Sequence, residues 1–560
     1  MRRVAVITLS VLLFAVVGQG ADSFGATGAT GAAAAAAARA RADFNGDGFS
    51  DMAVGVSAET LGGQDRAGAV NVIYGSATGL APAGNQFWTQ ASPGVPTDPQ
   101  AGGRFGAALA AGDFNGDGFT DLAIGVPGQT VDAVTEAGVV IVLYGTPAGL
   151  TSSGSQLFDQ NSELMQENAE SSDHFGATLA AGNFGRTGED DLAIGVSDES
   201  VGAVTDAGAV QVVYGSITGL SQNGNQLWTE DSPGMAGDGA ETDDNFSGKF
   251  GQVTSLVAAD FGKDGRADLA VSVVGEDVGS VVDAGAAIVL YGGAGGLTAA
   301  GSQFFSQDTP GVPDQAEDGD SFGASLAAAD FGKNAKADLA IGVPSEGLGT
   351  NTACGAVDVL YGTTGGLTTT GSQLFTQDTP GVKDQCEAQV ALTLGDDFGF
   401  SLASANFGKS AQADLVVGVP GEDIGTVRDA GAVNVLYGTA TGLSTTGNQF
   451  WSQDSPGVAD SSEGKAVSDN APDLFGFAML ATNFGKTAQA DLAIGVIGEN
   501  LVGNTLFDPG AVNVLYGGTN GLSATGNKLW TQDSPGIKDQ SEAGDEFGFG
   551  FGSGSGSSSR

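Results

Sequence analysis

Repetition constrains this chain more than any other feature. A run of the type "DLAIGV" occurs at 51–56, 121–126, 191–196, 268–273, 338–343, 414–419 and 491–496, at intervals of 70 to 77 residues. Each is followed by an apolar segment such as "GAVNVIYG" (68–75) or "GVVIVLYG" (138–145), a "TGL"-like turn, and a segment such as "NQFWTQASPG" (85–94). Six units end in "FG" plus a short apolar stretch leading into the next unit, as in "FGAALAAGDF" (105–114) and "FGASLAAADF" (322–331). Self-similarity at a near-constant period is the mark of one supersecondary unit used many times. Here each unit holds four short strand-like runs punctuated by Gly, Asn, Asp and Ser, and helical periodicity is missing outside the N-terminus. Radial repetition of four-stranded units makes a propeller. The sequence therefore predicts an all-β fold, a seven-bladed β-propeller of four-stranded blades.

The first unit has no "FG" run directly before Asp43. The segment "DEFGFGFG" (545–552) can supply it, so the ring is expected to close through a C-terminal strand. Closure removes the open sheet edges that invite aggregation. A rival donor, "DSFGA" (22–26), stands too far from the first loop.

The turn before the first "DMAVGV" reads "ADFNGDGFSD" (42–51). It offers oxygen at alternate positions: Asp43, Asn45, Asp47, the Phe49 carbonyl and Asp51. Six to eight oxygens at about 2.3–2.6 Å are what Ca²⁺ takes. The absence of His and Cys argues against zinc or copper. An EF-hand would need Glu at position 12, where Val54 stands, so the reading is a calcium loop within a β-hairpin. The second unit repeats the set with Asp113, Asn115, Asp117, Phe119 and Asp121. The fourth keeps Asp260, Asp264 and Asp268 but has Gly262 at position 3. The fifth keeps Asp330, Asn334 and Asp338 and is weaker. The third, sixth and seventh begin with Asn and carry Thr187, Ser410 and Thr487 at position 5, so they are expected to be metal-free. In five units a cation stands at position 4 (Arg186, Lys263, Lys333, Lys409, Lys486), where the first two have Gly46 and Gly116. Two readings are open: the cation replaces Ca²⁺ against the remaining carboxylates, or it is a solvated turn residue.

The pairing of "FG" with "DLAIGVPG" (121–128) and the "DxNxDGxxD" loop resembles the FG-GAP repeat of integrin α-subunit propellers. It is most similar to secreted bacterial proteins with FG-GAP/VCBS repeats. The resemblance spans about 43–552. It implies a Ca²⁺-stabilised propeller whose face opposite the calcium loops binds ligand.

"MRRVAVITLSVLLFAVVGQGA" has a basic start and a short apolar core, and reads as a secretory signal. The expected divisions are a signal peptide at 1–21, an Ala-rich linker at 22–42, the propeller at 43–552 and a Gly/Ser tail at 553–560. The mature chain is expected to be secreted, extracellular, monomeric and without membrane insertion. The net charge is −46, and loss of Arg2 and Arg3 takes it to about −48. Such an acidic surface disfavours nucleic acid and anionic membranes and favours cations. The two cysteines, Cys354 and Cys386, fall in loops expected at one end of the fifth blade, where a disulfide fits a secreted protein.

For catalysis the chain is poorly equipped. Its one histidine, His174, reads as an exposed loop residue, and no nucleophile-elbow motif accompanies it. The seven tyrosines share one strand position, and the four tryptophans share another with Phe158, Phe305 and Phe375, which reads as blade packing rather than sugar stacking. Acids recur after the "GV" runs: Glu59, Glu199, Glu276, Glu346, Glu422 and Glu499, with Gln129 in the second unit. They are either internal architecture or a ring facing a cationic or metal-bridged ligand. The expected function is a non-catalytic calcium-binding module for binding or adhesion, with an unidentified protein or glycan ligand. The alternatives are a polysaccharide-active lyase or glycosidase and a structural envelope or matrix protein. The loops that depart most from the repeat, 161–174, 235–249, 383–397 and 461–474, are where a specific site is expected.

Overall fold

In the computed structural model, residues 42–249, 251, 255–262, 264–387, 395–462, 472–501 and 507–554 are described. The expected signal peptide, the linker up to Arg41, Lys263 and the tail beyond Gly554 lie outside the described residues. So do parts of the variable loops 383–397 and 461–474. Every regular element among the described residues is a strand, and the strands form seven antiparallel blades.

The second blade shows the plan. Ala108–Gly112 is innermost, followed outward by Asp121–Val126, Val139–Tyr144 and Thr151–Phe158. The two middle strands are buried along their whole length, so they read as continuous apolar runs rather than alternating ones. Their alternation is instead one of size. Leu122, Ile124 and Val126 pack against Val70, Val72 and Tyr74 of the preceding blade, whereas Ala123 faces the following one. Gly125 lies on that same side, and a Cβ there would stand 2.1 Å from the Gly176 carbonyl of the third blade. "DLAIGV" thus gives each blade one bulky face and one thin face. The core consists of seven apolar layers, each between two neighbouring blades.

Polar latches join the blades at their outer edges. Gln86 Nε2 donates to the Leu150 carbonyl of the next blade at 2.9 Å, and Leu150 N–H returns a bond to Gln86 Oε1 at 3.0 Å. The Gln–Leu latch recurs at Gln156, Gln226, Gln303, Gln373 and Gln449. The tyrosine of the adjoining strand donates to the same glutamine, as from Tyr74 to Gln86 at 2.5 Å. The seventh latch differs: Lys528 Nζ donates to the Leu80 carbonyl at 2.8 Å and ties the last blade to the first.

The ring also closes through the backbone. Gly550–Phe551 is the innermost strand of the first blade, with Val54 opposite Phe551 and Gly55 opposite Gly550. The chain then continues as Ser553–Gly554, which pairs in parallel with Ala110–Ala111 of the second blade. The first residues of the expected tail are therefore part of a sheet.

Candidate metal loops and the opposite rim

The metal-type loops lead into the second strand of each blade, and in the second to seventh blades they join it to the innermost one. In the first loop, Asp43 Oδ1 accepts from Asp47 N–H at 3.0 Å and Oδ2 from Gly48 N–H at 2.8 Å. Asn45 Oδ1 accepts from Asp47 N–H at 2.8 Å, and Asp47 Oδ1 from Phe49 N–H at 3.0 Å. The second loop repeats this network through Asp113, Asn115 and Asp117. Gly46 and Gly116 sit at φ of 71° and 69°, the left-handed turn that brings alternate side chains to one side. The donor set of Asp43, Asn45 and Asp47, three exposed or half-exposed side chains ending in oxygen, fits a hard cation.

Asp51, expected as the last ligand, is fully buried and holds two backbone segments together. Its Oδ2 accepts from Phe44 N–H at 2.8 Å and its Oδ1 from Gly75 N–H at 3.0 Å. Asp121 and Asp268 do the same in their blades. So do Asp191, Asp414 and Asp491, in loops that have lost the other metal-type residues. The persistence of this aspartate in degraded loops was the sequence signal for a staple that does not depend on metal. Burial pushes Asp51 and Asp121 up to about 8, against the opposing pull of the two N–H groups.

The position-4 cations have a different partner from the one expected. Lys333, Lys409 and Lys486 place Nζ 3.3, 3.4 and 3.2 Å from the ring centroids of Tyr361, Tyr437 and Tyr516. Each also donates to a glycine carbonyl of the outer strand: Gly371, Gly447 or Gly526. Arg186 stacks on Tyr214 at 3.9 Å. The aromatic face holds each charge by cation–π attraction. The loop carboxylates are not its direct partners.

In the fourth loop, cations do meet carboxylates, but from other positions. Lys336 of the fifth blade reaches Asp260 Oδ2 at 2.8 Å, and Arg266 reaches Asp264 Oδ2 at 2.5 Å. Two of the three residues expected to hold metal there are therefore ion-paired, and Asp268 is the staple.

The remaining candidates lie at the other rim, because an antiparallel blade puts successive turns at opposite ends. Glu59, Glu199, Glu276, Glu346, Glu422 and Glu499 do not form an exposed ring. All are at most 4% accessible. Glu199, Glu346, Glu422 and Glu499 accept from Gln160, Gln307, Gln377 and Gln453 of the preceding blade at 2.5 to 2.6 Å. Glu59 accepts from Gln532 of the last blade at 2.9 Å. Gln90 and Gln129 make the second interface. Burial raises Glu199 and Glu346 to about 8 and Glu422 to about 10. The ring is a set of blade-to-blade locks.

Cys354 and Cys386 are bonded at this rim, with Cα atoms 5.4 Å apart. His174 is largely buried, with Nδ1 2.6 Å from Asp198 Oδ2, rather than an exposed loop residue. Among the described residues no helix is long and apolar enough to cross a membrane.

Comparison with known proteins agrees with this geometry. The FG-GAP repeat model matches residues 40–73 and 105–143. A phosphatidylinositol-glycan-specific phospholipase D of Rattus norvegicus is 42% identical over 114 residues, covering 20% of this chain and 13% of that protein. The Homo sapiens protein of the same name is 34% identical over 154 residues, 28% of this chain and 17% of its own length. Integrin alpha-PS2 of Drosophila melanogaster is 30% identical over 167 residues, 29% of this chain and 11% of its own. The matches span less than a fifth of the length of these relatives. FG-GAP repeats are thus carried here on an integrin-like β-propeller.

Proposed function

We propose that this chain is a non-catalytic, calcium-binding propeller that acts outside the cell, as a monomer, as a binding or adhesion module. One coincidence carries the reading. The two stretches matched by the FG-GAP model contain the two loops, 43–51 and 113–121, that keep every metal-type oxygen and have glycine at position 4. Asp43, Asn45, Asp47 and the Phe49 carbonyl would hold one ion, and Asp113, Asn115, Asp117 and the Phe119 carbonyl a second. The aspartates at 51 and 121 close each set through their remaining lone pairs. The ion supplies positive charge to a turn of clustered acids and so favours the folded loop. The apolar N-terminal run and the disulfide support secretion. The ligand is an unidentified protein or glycan at the rim opposite the metal loops.

A second reading is an enzyme: a polysaccharide-active lyase or glycosidase or, from the name of the relatives, a phospholipase, which cleaves a phosphodiester instead. Glycoside hydrolysis would need a pair of carboxyl groups open to substrate. The six repeat glutamates of the opposite rim are instead buried between blades.

Calorimetric unfolding with and without EGTA tests the metal. Chelation lowers the melting temperature of the wild type, and lowers it less in Asp47→Ala and Asp117→Ala. An unchanged transition overturns the calcium reading. Glycan-array binding run beside assays of saccharide release tests the rest, and turnover by the wild type overturns the non-catalytic assignment.

A further inference from the structure

One of the seven blade-to-blade locks lacks its donor. The residue two places beyond the Trp or Phe that ends each outer strand is glutamine in six blades: Gln90, Gln160, Gln307, Gln377, Gln453 and Gln532. In the third blade it is Glu230. Its counterpart across the interface is Glu276, so two carboxyl groups meet where other interfaces bring an amide N–H to an oxygen. Asp244, from the variable loop 235–249, is the third member. One carboxylate oxygen from each of the three lies within 4.8 Å of the other two.

Acid clusters also occur beside Glu59, Glu346 and Glu422, but there a glutamine donates into the group. Between the third and fourth blades no described residue does. Glu230 is 5% accessible, Glu276 1% and Asp244 fully buried. Among the described residues, both oxygens of Glu230, both of Glu276 and Oδ1 of Asp244 receive no N–H or hydroxyl donor; they face only other carboxyl groups. Asp244 Oδ2 accepts from Glu241 N–H, which fixes the side chain with its free oxygen toward the pair. Buried acceptors without donors are costly, and charged ones more so.

We propose that Glu230, Asp244 and Glu276 form a divalent-cation site between the third and fourth blades, separate from the repeat loops. Three carboxylates with no nitrogen or sulfur ligand select a hard ion of the Ca²⁺ type. Exposed Asp238 interacts with Glu276 and marks the entry from solvent. Bound metal does here what the glutamine amide does elsewhere: it puts positive charge between two blades. Burial raises both Glu230 and Glu276 above the usual carboxylate range, helped by Glu276 and Asp244 beside the first and by Asp238 and Asp244 beside the second.

Metal-stripped full-length protein carrying Asp47→Ala and Asp117→Ala is the background for the test, so that the repeat loops do not obscure the count. Titration calorimetry with CaCl2, and separately with MnCl2, is expected to show one bound ion. Glu230→Gln restores the residue found at the other six interfaces, so the fold is kept. It is expected to lose that ion and to melt in EGTA no lower than its parent. Glu276→Gln loses the same ion. Equal stoichiometry in the background and in both variants overturns the proposal, as does a background that binds no ion of either kind. In those cases the cluster is held by shared protons.

Discussion

The loops of the first two blades and those of the last three solve one problem in two ways. All must turn sharply at position 4, where φ is 71° and 69° at Gly46 and Gly116 but also 67°, 67° and 65° at Lys333, Lys409 and Lys486. Glycine reaches that region freely, whereas a side chain reaches it at a cost. The lysine loops offset the cost with a cation held on a tyrosine face and a capped carbonyl. The glycine loops instead keep their oxygen ligands, a choice that leaves charge for an external ion to balance. The backbone turn and the buried staple are common to both. On the proposed reading, what differs is whether the stabilising cation is covalently part of the chain, and so whether stability depends on the solution.

The comparison predicts, first, that the staple is worth the same in both classes. Asp121→Ala and Asp414→Ala each strand two buried N–H groups, at about 1–3 kcal/mol apiece, so in EGTA, where no ion contributes, each variant should lose roughly 3 kcal/mol or more in urea unfolding. A much smaller loss for Asp414→Ala would mean that the lysine loops do not need the staple. Second, the two glycines should differ from each other. A Cβ on Gly46 meets the Phe119 ring at 2.6 Å, whereas one on Gly116 meets the flexible Glu189 side chain at 3.1 Å. Gly46→Lys should cost about 1–3 kcal/mol through overpacking, and Gly116→Lys clearly less. Equal costs would show that the neighbouring blade does not enforce the choice.

Third, Lys409→Ala should cost about 1 kcal/mol, the scale of a partly exposed cation–π contact. The loss should be the same with and without calcium, and a loss seen only on chelation would return the lysine to the role of a calcium substitute. The smallest effect is on pH dependence. Burial holds Asp414 up at about 7 despite the nearby Lys409 charge, against 3.8 for the free group. A carboxyl raised in this way binds its proton more tightly when folded, so it stabilises the fold below pH about 4 and that stability is lost as pH rises through about 7. Removing the lysine charge should move the Asp414 midpoint upward by less than one unit in carboxyl ¹³C NMR. A downward shift would contradict the electrostatic account.

The fold was legible because each unit repeats the same order of strand, turn and aromatic, and because "DLAIGV" encodes one bulky and one thin face. Ring closure was legible in outline from "FGFG" near the C-terminus, but the parallel pairing of Ser553–Gly554 with the second blade has no sequence mark. At the loops, position 9 fits a metal ligand and a backbone staple equally well, so the template hid the second role. The pairing of Lys336 with Asp260 joins residues 76 apart across a blade interface, which no local pattern reports. Strand alternation puts the glutamates at the rim opposite the metal-type loops. Their depth depends on glutamines of the preceding blade, a contact that only the assembled ring creates.

The closing strand also bears on how the protein is made. The first blade takes three strands from residues 52–88 and its innermost strand from 550–551, so it stays unfinished until residue 551 has been synthesised. During that interval the inner edge of Met52–Val56 lacks its pairing partner, and unpaired edges of partly folded chains are prone to wrong association. Contacts this distant in sequence are also slow to find. Completing the first blade therefore joins an early-made part of the chain to a strand made about 460 residues later. A protease cut just before Gly550 would undo that step while leaving the other six blades with all their own strands.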